Sequence, residues 1–403
     1  MGVVEMLRGM KSKKMIKRNI NIKDTDSANI FLRALWASIR TEFGHLAWNY
    51  QALTIKLDKG LKKIIFGDID IIDKPTTVSI LFISKGTIDD ICFDAEFSEN
   101  ESKKINRAID EALNYKQNLN QYSVEFYIET DYPIAQYKTD YFSIEECKNK
   151  SNKISINIFC FDKVDCNTIA KEKIEIVRDV LSAHCWRVIF LTDKGIVNQD
   201  EKFNLKYFDE KEDSMWDVEH AIFNGKITLS IAVIKIIDNI LLFQKPSNQI
   251  VRFQNAARLY HNGLKIEYEF IRKRSDIDWF EWIQVNFISS LEILSIPDNV
   301  DNKRCETCGQ LEFSISKRVK EFVNKYFPER DDILKLINYE YSKRSSLVHE
   351  GIHFSKRSYA GVSVPQIEKS NNYTQNQIFI NPNLKYLFGH FFKHYIENEI
   401  IIK

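Results

Sequence analysis

Tyr341-Ser342-Lys343-Arg344-Ser345-Ser346-Leu347-Val348-His349-Glu350-Gly351 is the stretch on which the reading of this 403-residue chain turns. It closes a segment, Asp331–Glu350, in which Leu334, Ile337, Tyr341 and Val348 step by three, four and seven. That period predicts an amphipathic helix. Arg344 falls in the gap between Tyr341 and Val348, at the same angle as the stripe. An arginine on a packing face must find a partner or a ligand. His349 is rotated from it by about 140° on an ideal helix, towards the edge of that face. Gly351 is a natural helix stop just beyond the histidine.

Outward from this helix, nearly everything after residue 244 reads as helical. Gln249–Tyr268 is a first helix. A second, capped by Asp276 or Asp278, carries Phe280, Ile283, Phe287, Leu291 and Leu294 on one face and ends at Pro297. Ser314–Phe327 is a third, stopped by Pro328; Asp331–Glu350 is the fourth and Asn383–Ile400 the fifth. The aromatics of the fifth, such as Phe388, Phe391, Phe392 and Tyr395, are read as core or dimer interface, and His390 and His394 as part of a polar face. The Gln-Lys-Pro-Ser-Asn-Gln run after Phe243 is a plausible linker, which divides the chain at 1–244 and 245–403.

The first half alternates between strand and helix periods. Lys63–Ile71, Thr77–Ile83, Asp90–Phe97, Tyr122–Ile128, Lys153–Phe161 and Cys185–Leu191 read as strands; Ser98–Asn118 and Asn167–His184 read as helices. Strands with few helices between them predict an α+β domain, followed here by an all-α bundle. Ile227–Phe243 is the most apolar run, but Lys235, Asp238 and Asn239 interrupt it, so a buried helix is expected and no membrane association. The first half has no phosphate-binding glycine loop, because Gly60, Gly67 and Gly86 are scattered, and its role is left open as sensing, regulation or RNA selection.

Composition bounds the rest. Lys plus Arg (57) nearly balance Asp plus Glu (56), so any contact with nucleic acid must come from local patches. The cluster Arg8, Lys11, Lys13, Lys14, Lys17 and Arg18 reads as a frayed, solvated terminus in preference to an RNA-touching arm. Seven cysteines, mostly inside apolar runs, suggest reduced thiols and a cytoplasmic setting. His184 is read as structural.

The second half resembles the HEPN superfamily, particularly its Apea-like branch. The resemblance rests on the helix order, on Ser289-Ser290-Leu291-Glu292-Ile293-Leu294 and on the Tyr341–Gly351 stretch. It implies a metal-independent endoribonuclease acting as a homodimer without a cofactor, with Arg344 and His349 as the catalytic pair and Ser345 in a supporting position. It also implies a toxin-like effector of antiviral defence or abortive infection, with a cognate defence-system or inhibitor protein as a possible partner. Glu292 is the candidate to orient Arg344, and Lys343, Lys356 and Arg357 are the candidates to attract the RNA backbone. A non-catalytic module that binds RNA or a protein partner is the alternative.

Two further motifs compete. His349-Glu350-Gly351-Ile352-His353 satisfies H-E-x-x-H, a zinc peptidase pattern, with Glu368 or a later acid as third ligand. Gly351 in mid-helix, costing about 1 kcal/mol, argues against a helix continuing through His353. Cys305-Glu306-Thr307-Cys308 is a lone C-x2-C, half of a zinc site, and reads as ordinary loop cysteines.

Overall fold

The computed structural model describes residues 15–44, 48–71, 74–117, 119–147, 151–192, 220–243, 246–273, 278–297, 315–350 and 381–400. Strands lie mainly in the N-terminal part and helices in the C-terminal part, with both antiparallel sheets and helices present. The chain forms two compact units: Met1–Tyr122 with Phe159–Ile169, and Ser123–Ile158 with Ala170–Lys403. The boundary expected at 244–245 does not coincide with this division. The second unit joins strands from the first half to the C-terminal helices.

The first unit is built on a five-stranded sheet in the order β1-β5-β4-β3-β2, antiparallel throughout. Its strands are β1 (Met15–Ile22), β2 (Trp48–Lys56), β3 (Lys62–Ile71), β4 (Lys74–Phe82) and β5 (Ile88–Asp94). Helices α1 (Thr25–Phe43) and α2 (Glu99–Leu113) pack on one another. Asp24 caps α1 by accepting from the Ser27 amide, and Ser98 with Glu101 forms a reciprocal capping box on α2. Buried Phe31, Leu35 and Ile39 line α1; buried Ile105, Ala108, Ile109 and Ala112 line α2.

Lys17 and Arg18 are not part of a frayed end. They sit in β1, where Lys17 meets Asp90 at 3.0 Å and Arg18 meets Asp110 at 2.6 Å. Sheet pairing with β5 supplies the order that the charge run alone does not suggest. Arg8, Lys11, Lys13 and Lys14 lie outside the described residues.

The second unit holds most of a second five-stranded sheet, in the order β10-β6-β9-β8-β7. These strands are β6 (Asn120–Glu129), β7 (Tyr137–Lys138), β8 (Phe142–Glu146), β9 (Ser151–Cys160) and β10 (Phe190–Thr192), and β11 (Ile222–Phe223) pairs with β12 (Lys226–Ile227) as a separate ribbon. Along β9 every second residue is buried, the period-two signature of a strand with one face on a core. Cys185–Leu191 is not the strand its composition predicts. Cys185 ends α3 (Lys163–Cys185), Trp186 turns through φ 58°, and only Phe190–Thr192 pairs. Burial of Trp186, Val188 and Ile189 accounts for the apolar run without sheet structure.

The remaining helices are α4 (Ile231–Leu241), α5 (Asn248–Lys273), α6 (Asp278–Leu294), α7 (Ile315–Tyr326), α8 (Asp331–Glu350) and α9 (Asn381–Asn398). Among the described residues no helix is long and apolar enough to cross a membrane. On α4, Val233, Ile236, Ile237, Ile240 and Leu241 are buried, as the interrupted apolar run predicts. On α6, Ile283, Phe287, Leu291 and Leu294 are buried; the Phe280 side chain lies outside the described set. Gly263 lets α5 approach α6, since a Cβ there would come 2.5 Å from the Phe287 ring. On α9, Phe388, Phe391 and Phe392 are fully buried and form ring contacts with Phe287, Phe322 and Tyr260. The expected polar face of His390 and His394 is instead an aromatic one: His390 packs edge-on against Trp186 at 4.7 Å, and His394 stacks on Tyr326 at 5.4 Å.

Candidate functional site

Helix α8 packs against α6 and α7. Its buried residues are Ile333, Ile337, Glu340 and Lys343, so the face is rotated by about one residue from the Leu334–Tyr341–Val348 stripe. Val348 is 47% exposed. The rotation arises because a buried ion pair, Glu340 with Lys343, occupies positions that an apolar pattern assigns to the polar side.

Lys343, expected to attract an RNA backbone, is therefore turned inward. Its ammonium lies 3.3 Å from Glu340 and 3.9 Å from the centre of the Tyr339 ring. Glu340 is 0% exposed, and burial pushes its carboxyl up while Lys343 pulls it down. Two opposite charges so enclosed hold each other, and this ammonium is spoken for.

Arg344 keeps the inward position that its angle predicts. Its Nη2 lies 3.1 Å from Oε2 of Glu292 on α6, with side-chain exposures of 18% and 14%. Several groups converge on this carboxylate. Burial raises its pKa, while Arg344, a hydrogen bond from Tyr341, and the positive charges of Arg318 and His349 lower it. Tyr341 is pushed up, by burial first and then by Glu292. One carboxylate on α6 thus feels groups from two other helices: Tyr341, Arg344 and His349 on α8, and Arg318 on α7.

The local bonding is incomplete. Oε1 of Glu292, Nε of Arg344 and Nε of Arg318 are each buried without a hydrogen-bond partner. Buried polar atoms are almost always satisfied, so unmatched valences on both sides of an ion pair need an explanation. His349 and Glu350 end α8 and are exposed; Ser345 is half-buried. His349 lies five positions after Arg344, about 7.5 Å along the helix axis. The two side chains differ in setting: one is braced by Glu292, the other faces solvent.

Sequence reasoning named Glu292, Arg344 and His349 but missed Arg318 and the role of Tyr341. Tyr341 was assigned to the apolar stripe by its ring; its hydroxyl gives it a second function. Arg318 carries no local signal, because only the packing of α7 brings it to Glu292. Gly351, His353, Lys356, Arg357 and Glu368 lie outside the described residues, as do Cys305 and Cys308. Among the described residues no group of three His, Cys, Asp or Glu is arranged to hold a metal.

A second polar cluster has the composition of a hydrolase triad. Ser182 Oγ lies 2.9 Å from His261 Nδ1, and His261 Nε2 lies 4.0 Å from Asp179 Oδ1. Ser182, His261 and Asp179 are 0%, 2% and 3% exposed, so no substrate reaches the hydroxyl. Burial lowers His261 to about 3 and raises Asp179 to about 6. The cluster joins α3 to α5 and reads as structural.

In comparisons with known proteins, no family model, curated protein or solved structure matches the chain.

Proposed function

We propose that the chain is a HEPN-type, metal-independent endoribonuclease effector of antiviral defence, acting as a homodimer in the cytoplasm, with Arg344 and His349 as its catalytic pair. The observation that carries this reading is the bracing of Arg344. Glu292 holds one terminal nitrogen, while the guanidinium stays part-exposed on the helix that presents His349. Guanidinium is permanently charged and grips phosphate in two prongs. Imidazole exchanges a proton near neutral pH.

RNA brings its own nucleophile. His349, neutral, removes the 2′-hydroxyl proton, or, protonated, supplies one to the leaving 5′-oxygen; a positioned group of this kind contributes roughly 10²–10⁴-fold. The 2′-oxygen–phosphorus bond forms as the bond from phosphorus to the 5′-oxygen breaks. Arg344 balances the charge that builds on the phosphorus oxygens. The products are a 2′,3′-cyclic phosphate and a 5′-hydroxyl, and DNA survives because it lacks the nucleophile. Glu292 is a positioning residue, and Ser345 supports the same turn of α8. Lys356 and Arg357, just after the helix in sequence, remain candidates for backbone contact. A cognate inhibitor or defence partner would act on this site.

A second reading is a non-catalytic module that binds RNA or a protein partner. It is favoured by the same ion pair, which satisfies part of Arg344 within the bundle. Digestion of RNA in EDTA by wild type, Arg344→Ala and His349→Ala separates the two. The nuclease reading expects cleavage that survives chelation, leaves 2′,3′-cyclic ends and is lost in both variants. No cleavage by wild type, or cleavage unchanged in both variants, overturns it. Chelator-sensitive hydrolysis of a peptide, lost in Glu350→Gln, would instead support the zinc metallopeptidase reading of His349-Glu350-x-x-His353.

A further inference from the structure

A cleft of about 310 Å³ opens between the start of α5, the end of α6, and α7 and α9. That volume lies at the lower end of small-ligand sites, roughly 300–1,000 Å³. Its cationic wall is Arg252, Arg318 and Lys325; Phe322 and Tyr395 give it an aromatic side, and Gln249 lies on the first turn of α5. Two acids also line the cleft, each meeting a lysine, Glu399 with Lys325 of the cleft's own wall. Glu399 receives Lys325 and the Tyr326 hydroxyl, and Glu321 meets Lys317 at 3.9 Å. Arg252 is anchored by donating to the Ile296 carbonyl at 2.5 Å.

Arg252 and Lys325 are held on the Ile296 carbonyl and on Glu399. The Nε of Arg318, like that of Arg252, is buried and has no hydrogen-bond partner. Arg318 lines the cleft, and its charge also lowers Glu292 and Tyr341. The two sites also share the end of α6: Ser295, which lines the cleft, donates its hydroxyl to the Glu292 carbonyl at 2.8 Å.

We propose that this cleft is an anion subsite that takes a phosphodiester of the RNA strand neighbouring the one at Arg344, with Arg318 as its uncommitted donor. Phosphate oxygens supply the acceptor that the buried Nε lacks, and Phe322 offers a flat wall to the attached ribose and base. The inference rests on the RNA reading of the same helices, and it assigns Arg318 to substrate holding and not to chemistry.

The test uses a 2′-O-methyl RNA oligonucleotide, which cannot be cut through the 2′-oxygen, titrated into the full chain by fluorescence anisotropy over a range of salt in EDTA. Arg318→Gln should weaken binding about tenfold and flatten the log–log salt slope by about 0.7, the loss of one phosphate contact on a single strand. Gln249→Glu, which places an acid in the cleft away from Glu292, should weaken binding similarly and guards against a fold defect peculiar to Arg318. Arg318→Lys should keep most of the slope. Absence of binding by wild type, or wild-type affinity and slope in both Arg318→Gln and Gln249→Glu, overturns the subsite. RNA cleavage by the same proteins is read separately. Wild-type cutting with unaffected variant binding removes only the cleft; variant-sensitive binding without any cutting removes only the nuclease reading and leaves the subsite standing.

Discussion

Nη2 of Arg344 lies 3.1 Å from Oε2 of Glu292, joining α8 to α6 through a pair that is mostly but not wholly enclosed. The carboxylate is the more burdened partner, since burial raises its pKa against the pull of the cations around it. Arg344→Ala should therefore cost stability as well as activity, about 1–3 kcal/mol for leaving Glu292 enclosed with its main partner gone. A raised carboxyl contributes stability below its unfolded pKa and loses it as pH rises through the folded value. The deficit of Arg344→Ala relative to wild type should thus be larger at pH 8 than at pH 4.5. Glu292→Gln in the same chain should restore part of the loss at pH 8. Urea denaturation of the single and double variants at both pH values measures this, and purely additive losses would show that the pair is not coupled.

Lys343 gives the opposite expectation from its neighbour. Its partner Glu340 is 0% exposed, so Lys343→Ala leaves a carboxylate enclosed without its cation, a change that costs about 3–5 kcal/mol in buried pairs. The milder Lys343→Gln should leave the salt slope of RNA binding at the wild-type value. A slope reduced by about 0.7 would return Lys343 to the backbone-contacting role that its sequence position suggests.

The Asp179–His261 cluster predicts a compensated acid response. Asp179, at about 6 in the fold, contributes stability fully present below its ordinary value of 3.8 and lost as pH rises through 6. His261, at about 3, contributes stability present above 6.5 and lost as pH falls towards 3. Between pH 4 and 6 the two effects oppose each other and nearly cancel. His261→Gln should therefore gain stability relative to wild type as pH falls through this window, by up to about 1.4 kcal/mol per pH unit. Asp179→Asn should show the reverse slope. Thermal or urea unfolding across pH 4–6 reads both, and parallel profiles for all three proteins would contradict the assignment.

The helices of the C-terminal part were legible because their apolar spacing is regular. The stepping of Ile283, Phe287, Leu291 and Leu294 predicts the buried face of α6 found in the structure. What the pattern missed is polar or nonlocal. Helix α1 is capped by Asp24, but much of its buried face is Ala28, Ala34, Ala37 and Ser38, which give only a weak apolar period. The face of α8 was misplaced by about one residue because Glu340 and Lys343 are buried together, which no hydrophobic period encodes. Arg344 and Glu292 were paired correctly from helix order, whereas Arg318 joins them only through the packing of α7. Trp186, placed in a strand by its composition, takes a left-handed turn against Gly389, where a Cβ would meet the indole at 2.5 Å.

The first unit takes its residues from two separated stretches, with Phe159–Ile169 returning after an excursion of 36 residues through the second. Arg33 and Arg40 of α1 each grip a carboxylate in that returning piece, Asp165 at 2.8 Å and Asp162 at 2.6 Å. During synthesis, then, the carboxylates that Arg33 and Arg40 grip are made only after the 36-residue excursion is complete. A nascent chain stalled at residue 130 would be open to proteases at α1, and one stalled far enough beyond Ile169 would be protected, so order in the oldest part of the polypeptide waits on a younger part.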